Sequence, residues 1–466
     1  MKISFHGAAQ TVTGSKHIVT TDKGTSFLLD CGMFQGMGRE TPILNSHLPQ
    51  GITTVDFVIL SHAHIDHSGL LPLLVKAGYQ GKIYCTQATI DLVKLLLEDS
   101  ANIQENDIKF QNKQRIQAGK APLQPLYTKQ DAYNVFGLLE AIPYGKWVRI
   151  HHDVELLFTD AGHIIGSACV HVRVQEQKGV KQLTFSGDIG RYRDTLLKSP
   201  ETFPQADVII CESTYGNALH EPVFSTADAL LQHITETCLE RKGKLVIPAF
   251  SVGRTQEILY HLNQLELENR LPQLDYFVDS PLSNKATLVV KSHAELFNKR
   301  VQKVLASDTD PFDFKGLTYI GSAEESKLLN YRREPCVIIS SSGMAEAGRV
   351  KHHISNTIEN SRNTILITGY CEPNSLGGRL MQQPKEVTIF GLPHEVHASI
   401  AVLKSMSAHG DYEDICQWLA CQNPALVSDV FLVHGDYDEQ YALSRKLERK
   451  GFKTVHIPRL HESFEV

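Results

Sequence analysis

Residues 60–69 have the sequence LSHAHIDHSG, which carries four potential metal ligands, His62, His64, Asp66 and His67. The preceding segment, VDFVIL, is apolar and β-branched, which predicts a buried strand. Leucines at helical spacing follow between residues 70 and 74. The ligands are therefore expected on a loop between the carboxyl end of a strand and the start of a helix, where open α/β sheets usually place their chemistry.

The ligand types of this loop indicate a transition metal. His62 and His64 alternate, so both imidazoles can turn towards one ion, and Asp66 and His67 follow closely enough to serve a second. Neutral imidazole and carboxylate suit zinc, while manganese and iron bind the same types of ligand. A polar loop that is histidine-rich by coincidence is the alternative, and the density of ligands directly after a buried strand argues against it.

The composition is that of an ordinary globular protein, with 42% hydrophobic and 21% charged residues in 466, enough for two domains. Nine cysteines without a CxxC pair predict reduced thiols and a cytoplasmic location. No long apolar segment predicts secretion or membrane insertion. A nucleic-acid binder that works by charge alone would be basic, whereas this chain carries a formal charge of −6. Phosphate binding would therefore depend on metals and a local basic groove.

Further histidines and acidic residues follow other predicted strands. Asp30 closes the strand SFLLD, where it can orient a ligand imidazole, although a turn-forming aspartate explains it equally well. His163 lies between glycines in DAGHIIGSA and can lean into a site without steric obstruction. Asp188 ends FSGD, where its carboxylate can bridge two cations. Taken singly, His163 and Asp188 would more often be structural than catalytic.

From about residue 212 the pattern restarts as an alternation of strands and helices, which predicts a second, parallel sheet. Its loops carry Ser, Thr, Gly and Arg rather than metal ligands. Backbone N–H groups at helix starts beside Arg254, and the serines Ser341 and Ser342, could hold phosphates. Ordinary helix capping explains each of these loops equally well. The last segment returns to histidine at strand ends, with His409 and His434.

Together these motifs resemble the β-CASP branch of the metallo-β-lactamase superfamily, which processes nucleic acids. The resemblance spans nearly the whole chain. Its first-domain motifs are GAAQTVTGSKH (7–17), LDCG (29–32), SHAHIDHSG (61–69), DAGHIIGSA (160–168), FSGDIG (185–190), CESTYG (211–216), MSAHGD (406–411) and LVHGD (432–436). The inserted domain of the family is resembled by four further strings, IPAFSVGRTQE, VDSPL, SSSGM and TGYCEPNSLGGRL. Within the last of them, EPNSLGG differs from the usual sequence of the family.

The resemblance implies a role for each matching residue. One zinc would be held by His62, His64 and His163, the other by Asp66, His67 and His434, and Asp188 would bridge the two. Manganese is the alternative metal. Asp30 would support the ligands, and Glu212 would orient His409, which faces the scissile phosphate. The implied catalytic residues are Asp66, His409, Glu212 and Asp30.

The resemblance also implies a fold. We expect an αββα metallo-β-lactamase sandwich from residues 1–213 and 396–466, with an inserted α/β β-CASP domain, 214–395, that carries a mainly parallel sheet. Substrate would enter a cleft between the two domains.

Histidine at position 434 resembles the RNA-acting members, because DNA-acting members tend to carry valine there. The chain is most similar to bacterial and archaeal homologues of the pre-mRNA 3′-end processing endonuclease. We therefore expect a dizinc ribonuclease that cleaves endonucleolytically, with 5′-exonuclease activity as a second mode. The alternatives are a DNA nuclease of the same branch and an inactive metal-binding scaffold subunit. RNA is the expected partner, no membrane is expected, and a homodimer is among the states that the sequence leaves open.

Overall fold

The protein, analysed as a computed structural model, is described over residues 1–221 and 226–466. The chain forms two compact units. The first contains residues 1–192, 198–219 and 409–466, and the second contains residues 193–197 and 220–408. The second unit is therefore an insertion into the first.

The first unit starts with an N-terminal run of strands and helices. Its strands are β1 (Lys2–Phe5), β2 (His17–Thr20), β3 (Ser26–Leu29), β4 (Phe57–Ile59), β5 (Lys82–Cys85), β6 (Leu139–Ala141), β7 (Val148–His151), β8 (Val154–Asp160), β9 (Ala168–Glu176), β10 (Gly179–Phe185) and β11 (Val208–Glu212). Its helices are α1 (Thr41–Ser46), α2 (Ile65–Ser68), α3 (Leu71–Lys76), α4 (Gln87–Gln117) and α5 (Lys129–Phe136).

The inserted unit alternates strands and helices, and the chain then returns to the first unit. The insertion contains α6 (Thr226–Ile234), β12 (Lys244–Pro248), α7 (Arg254–Leu267), β13 (Asp275–Val278), α8 (Pro281–Ser292), α9 (Lys299–Val304), β14 (Leu317–Tyr319), α10 (Ala323–Tyr331), β15 (Cys336–Ser340), α11 (Arg349–Thr357), β16 (Thr364–Ile367), α12 (Leu376–Met381), β17 (Glu386–Ile389), β18 (Leu392–Glu395) and β19 (Ser399–Val402). The returning elements are α13 (Tyr412–Leu419), β20 (Asp429–Val433), α14 (Tyr437–Arg449), β21 (Val455–His456) and β22 (Ser463–Glu465).

Within the described residues, the first unit is built on two seven-stranded sheets. Their strand orders are β22-β1-β2-β3-β4-β5-β6 and β21-β20-β11-β10-β9-β8-β7. Strand residues alternate between the two faces of a sheet, so each sheet can contribute one apolar face to a shared core. Aromatic and β-branched residues of both sheets fill this core, and the Phe5 and Phe431 rings meet there with centroids 5.1 Å apart.

Helices cover the outer face of the second sheet. Trp418 of α13 and Leu443 and Leu447 of α14 pack with Ile209 and Leu432 of the sheet. The first sheet also buries residues that lie outside the shared core, such as Leu28 and Val58, so both of its faces are covered. The predicted αββα sandwich is confirmed.

The second unit carries a parallel sheet of order β14-β13-β15-β12-β16-β19, flanked by the hairpin β17–β18. The predicted inserted domain with a mainly parallel sheet is confirmed. The compact units divide at 219/220 and 408/409, whereas the sequence suggests 213/214 and 395/396. At the second boundary the difference arises because β19 pairs with β16, so residues 399–402 complete the inserted sheet.

Candidate metal centre and active site

The candidate site is assembled by strand order. In the second sheet β10, β11 and β20 are parallel neighbours, and Glu212 pairs in register with Val433. Their carboxyl ends therefore meet at one edge, which brings together Asp188 after β10, Glu212 at the end of β11 and His434 after β20. The loop after β4 carries His62 and His64 to the same place.

Four side chains form the first ligand group: His62, His64, His163 and Asp188. The His64 Nδ1 atom lies 3.2 Å from His62 Nε2 and 3.1 Å from His163 Nε2. The Asp188 Oδ2 atom lies 3.4 Å from both Nε2 atoms. A tetrahedral zinc with bonds of about 2.0–2.1 Å holds its ligand atoms about 3.3 Å apart. The spacing of this group therefore matches a tetrahedral metal site.

The second ligand group contains Asp66, His67 and His434. The His434 Nε2 atom lies 3.3 Å from His67 Nε2 and 3.4 Å from Asp66 Oδ2. The Oδ1 atom of Asp188 lies 3.2 Å from His67 Nε2. Asp188 thus presents one carboxylate oxygen to each group.

A buried polar atom at the centre tests whether a cation fits. Among the described residues, Asp188 Oδ1 is buried and makes no hydrogen bond. Burying a carboxylate oxygen without a hydrogen bond is costly, whereas a cation coordinated between the two groups would satisfy it. The donor set of imidazole and carboxylate is that of zinc.

The charge states of several ligands also suit a metal. Burial, helped by His67, holds the pKa of His62 well below its ordinary value, and burial lowers the pKa of His64 to about 4. Burial would raise the pKa of Asp188, but the nearby histidines, His434 and His67 foremost, hold that pKa well below its ordinary value. Neutral imidazole and ionised carboxylate are the forms that bind metals.

His67 behaves differently. Burial lowers its pKa, but Asp188, Asp30 and Asp66 outweigh burial and raise the pKa well above its ordinary value. The cluster therefore attracts positive charge, and a divalent cation can take the place of a proton there.

The fully buried Asp30 lies behind this cluster. Its Oδ2 atom lies 2.6 Å from His67 Nδ1 and accepts a hydrogen bond from the Ser61 hydroxyl at 2.9 Å, while its Oδ1 atom accepts the Ser61 backbone N–H at 2.8 Å. Asp30 and His434 both have positive φ, 58° and 50°. Residues other than glycine rarely adopt this conformation, and it is concentrated at functional sites.

Glu212 and His409 form a second pair, in which the glutamate is fully buried and the imidazole is partly exposed. His409 Nδ1 lies 3.1 Å from Glu212 Oε1, which also accepts the Ile189 backbone N–H at 2.6 Å. The His409 Nε2 atom lies 4.0 Å from Asp188 Oδ2. Burial lowers the pKa of His409, but Glu212 and Asp188 outweigh it and raise the pKa to about 9. The imidazole therefore holds a proton beside the ligand cluster.

The three phosphate candidates lie in the second unit. The Ser341 hydroxyl is 2.6 Å from the Ser280 hydroxyl. Arg254 is 5% exposed and pairs with Glu257, so its charge is already engaged. Phosphate binding by Arg254, Ser341 and Ser342 stays a prediction.

Two hydroxyl residues at the centre of the site are not among the site residues that the sequence predicts. Ser61 lies between Asp30 and His62, and Thr214 lies between Glu212 and His434. Ser61 is adjacent in sequence to His62, and Thr214 lies two positions after Glu212. That proximity is the available signal, and it is weak because serine and threonine are common in loops.

Comparison with known proteins identifies the family of this chain. Residues 17–233 match the metallo-β-lactamase superfamily, residues 255–380 the Beta-Casp domain, and residues 393–458 the Zn-dependent metallo-hydrolase RNA specificity domain. A ribonuclease of Thermus thermophilus is 34% identical over 100% of both chains. The chain belongs to the β-CASP branch of the metallo-β-lactamase superfamily. The metallo-hydrolase families and the ribonuclease relative together support a metal-dependent nuclease.

Other relatives of this β-CASP protein come from archaea and eukaryotes. An RNase J-like protein of Methanocaldococcus jannaschii is 30% identical over 98% of this chain and 96% of its own length. Subunit 3 of the cleavage and polyadenylation specificity factor of Dictyostelium discoideum is 29% identical over 95% of this chain and 54% of its own length. In the part of the chain that the structure describes, no helix is long and apolar enough to cross a membrane.

Proposed function

We propose that this β-CASP protein is a dizinc ribonuclease that hydrolyses RNA phosphodiester bonds. The observation that carries the proposal is the position of Asp188, with one oxygen 3.4 Å from His62 and His163 and the other 3.2 Å from His67. A carboxylate shared in this way between two ligand groups is typical of sites that hold two cations.

The residues fit the zinc ions that the proposal requires. One zinc ion would be held by His62, His64 and His163, and the other by Asp66, His67 and His434. Asp188 would bind both ions. Such a pair of bound cations supplies a hydroxide nucleophile at neutral pH and neutralises charge on phosphate oxygens.

His409 would contribute the proton. Glu212 accepts from Nδ1 of the imidazole, which leaves Nε2 on the side of the ligand cluster. A protonated Nε2 there can donate to a phosphate oxygen or to the departing oxygen of the substrate. Glu212, buried and also fixed by the Ile189 backbone, would hold the ring in that orientation.

The choice of RNA over DNA rests on two observations. The last motif carries His434, which resembles RNA-acting members of the branch, and the Thermus relative is named a ribonuclease. We expect endonucleolytic cleavage, with 5′-exonuclease activity as a second mode. Entry of RNA between the two domains and a cytoplasmic location are further expectations that accompany the proposal, and a homodimer is one of the oligomeric states that the sequence leaves open.

One experiment tests metal, substrate and mode together. Protein purified without chelators is analysed for zinc and incubated with an internally labelled RNA, a 5′-labelled RNA and a DNA of the same sequence, before and after chelator treatment. We expect two zinc ions per chain and RNA cleavage that chelation abolishes and added zinc restores.

Three results would contradict the proposal. Protein with no bound transition metal would overturn the dizinc assignment. Cleavage of DNA in preference to RNA would favour the DNA nuclease. Zinc binding with no cleavage of any of these substrates would favour the scaffold.

A further inference from the structure

Each of the two buried carboxylates behind the site contacts one histidine directly and reaches a second through a hydroxyl group. Asp30 contacts His67 directly and reaches His62 through Ser61. Glu212 contacts His409 directly and reaches His434 through Thr214. Both carboxylates are 0% exposed, so neither is screened by solvent.

The donor and acceptor roles in the Thr214 chain follow from counting protons. A threonine hydroxyl has one proton to donate and two lone pairs. Thr214 Oγ1 lies 2.7 Å from Glu212 Oε2 and 3.1 Å from the His434 carbonyl oxygen. The carboxylate is closer and charged, so it takes the proton. The hydroxyl oxygen then accepts from His434 Nδ1, 3.1 Å away, which must carry a hydrogen.

That hydrogen decides which nitrogen of His434 is available as a ligand. With Nδ1 protonated, the neutral ring presents an unprotonated Nε2. This is the atom that lies 3.3 Å from His67 Nε2 and 3.4 Å from Asp66 Oδ2. His409 lies 3.4 Å from the same hydroxyl, but its Nδ1 is closer to Glu212 Oε1 at 3.1 Å and donates there.

The Ser61 chain follows the same logic. The Ser61 hydroxyl donates to Asp30 Oδ2 at 2.9 Å, and its oxygen lies 3.1 Å from His62 Nδ1. His62 therefore carries its hydrogen on Nδ1 and presents Nε2 to Asp188 and His64. Ser61 is 1% exposed and Thr214 is 6% exposed, so water has little access to either chain.

We propose that Ser61 and Thr214 are positioning residues, whose hydroxyl groups connect Asp30 and Glu212 to the ligand histidines His62 and His434 and fix the metal-binding nitrogen of each. The inference rests on the proposed dizinc function and assigns one hydroxyl to each metal group. Glu212 then orients two residues: His409 directly, and the metal ligand His434 through Thr214. Groups that orient metal ligands in this way are typically worth about 10–100-fold in metal affinity.

The test is a crossed pair of substitutions, each the control for the other. Zinc affinity is measured by chelator competition in the full chain, and zinc-edge anomalous diffraction from chelator-equilibrated crystals gives the occupancy of each group. Thr214→Val keeps the shape of the side chain and removes the hydroxyl, and should lower affinity about 10–100-fold at the His434 group only. Ser61→Ala should lower the zinc affinity of the His62 group only. Thr214→Ser keeps a hydroxyl group and should retain wild-type zinc affinity.

A matched control separates a local effect from a general loss of stability. Thr25 is also buried and donates to a buried carboxylate, Asp153 Oδ2, at 2.9 Å, outside both ligand groups. Thr25→Val should therefore leave both zinc affinities unchanged.

Nuclear magnetic resonance of wild-type zinc-loaded protein labelled with ¹⁵N-histidine tests the same inference without a substitution. Nδ1–H is expected on both His62 and His434. Finding the hydrogen on Nε2 of either ring would overturn the proposal for that residue.

The outcomes distinguish this inference from the function on which it rests. Wild-type protein that binds no zinc would overturn the proposed function and the two chains with it. Two bound zinc ions with unchanged affinities in Thr214→Val and Ser61→Ala would overturn the positioning roles alone. Equal loss at both groups in each variant would also contradict them, because the inference assigns one hydroxyl to one group.

Discussion

The Nδ1 atom of His67 lies 2.6 Å from Oδ2 of Asp30, and the two side chains are 1% and 0% exposed. Such a bond orients the ring so that Nε2 faces Asp66, His434 and Asp188. Because Asp30 also accepts two hydrogen bonds from Ser61, it holds the strand end and the metal loop in one arrangement.

Asp30→Asn should therefore weaken zinc binding about 10–100-fold. An amide has a single acceptor oxygen and cannot satisfy the donors that the carboxylate satisfies, which should also lower the free energy of unfolding by about 1–3 kcal/mol. Chelator competition and urea unfolding measure the two effects. Asp56→Asn is the control, because Asp56 accepts the Ser26 backbone N–H at 2.8 Å at the other end of the same strand. Wild-type zinc affinity in Asp30→Asn would contradict the supporting role.

Asp188→Ala should abolish RNA cleavage and reduce bound zinc, because this residue presents an oxygen to each ligand group. The residue follows β10 and does not belong to the shared core, so the far-ultraviolet circular dichroism spectrum should be unchanged. Cleavage within a few-fold of wild type would mean that the bridging role is wrong.

His434→Ala and His409→Ala should separate metal binding from proton transfer. His434→Ala should lower both zinc content and rate. His409→Ala should keep both zinc ions and lose about 10²–10⁴-fold in rate. A substrate with sulfur in place of the departing oxygen should rescue His409→Ala selectively, because it leaves without protonation. Zinc loss in His409→Ala would overturn this division.

Glu212→Gln should lower the rate through His409 and zinc affinity through Thr214 and His434. At saturating zinc, where weaker zinc affinity does not limit the rate, the rate losses of Glu212→Gln and His409→Ala should combine to much less than their product, because residues in one hydrogen-bonded network are not additive. Kinetics of the two single variants and the double variant measure this coupling. Multiplicative losses would show that Glu212 acts independently of His409.

Stability should depend on the ionisation of Asp160. Burial, helped by Glu201, raises the pKa of this carboxyl from 3.8 to about 7. Between those values the folded protein holds a proton that the unfolded chain lacks, so the contribution of Asp160 to stability falls as pH rises. Asp160→Asn keeps the acceptor for the Gly162 N–H, 2.9 Å away in the wild type, and cannot ionise. Its stability relative to wild type should therefore increase from pH 5 to pH 7 in urea unfolding, and a constant difference would contradict the raised pKa.

The sequence determined the parts of the site that are local in the chain. A β-branched run followed by ligands and leucines predicts a strand, a loop and a helix, and the structure has β4, the ligand loop, α2 and α3 there. These elements depend on neighbouring side chains, so periodicity predicts them. The same applies to the strands of the inserted sheet, whose apolar runs are short and bounded by turns.

Element ends were less predictable. An apolar stripe predicts a helix over the first part of α4, which runs from Gln87 to Gln117. Its second half has few buried side chains, so the apolar stripe on which the prediction depends is missing there. Likewise, motif resemblance suggests a boundary near residue 396, whereas pairing of β19 with β16 keeps residues 399–402 in the inserted sheet.

Only the tertiary structure decided how the hydrogen bonds of the site connect. From spacing alone Asp30 could equally be a turn former, and its contact with His67 spans 37 residues of chain. Thr214 and His434 are 220 residues apart. Asp30 and His67 meet because β3 and β4 are parallel neighbours, and Thr214 and His434 meet because β11 and β20 are parallel neighbours. Strand order is set by the burial of whole sheets rather than by any local pattern. The sequence therefore determined which groups can bind metal, and sheet packing decided which hydroxyl holds which histidine.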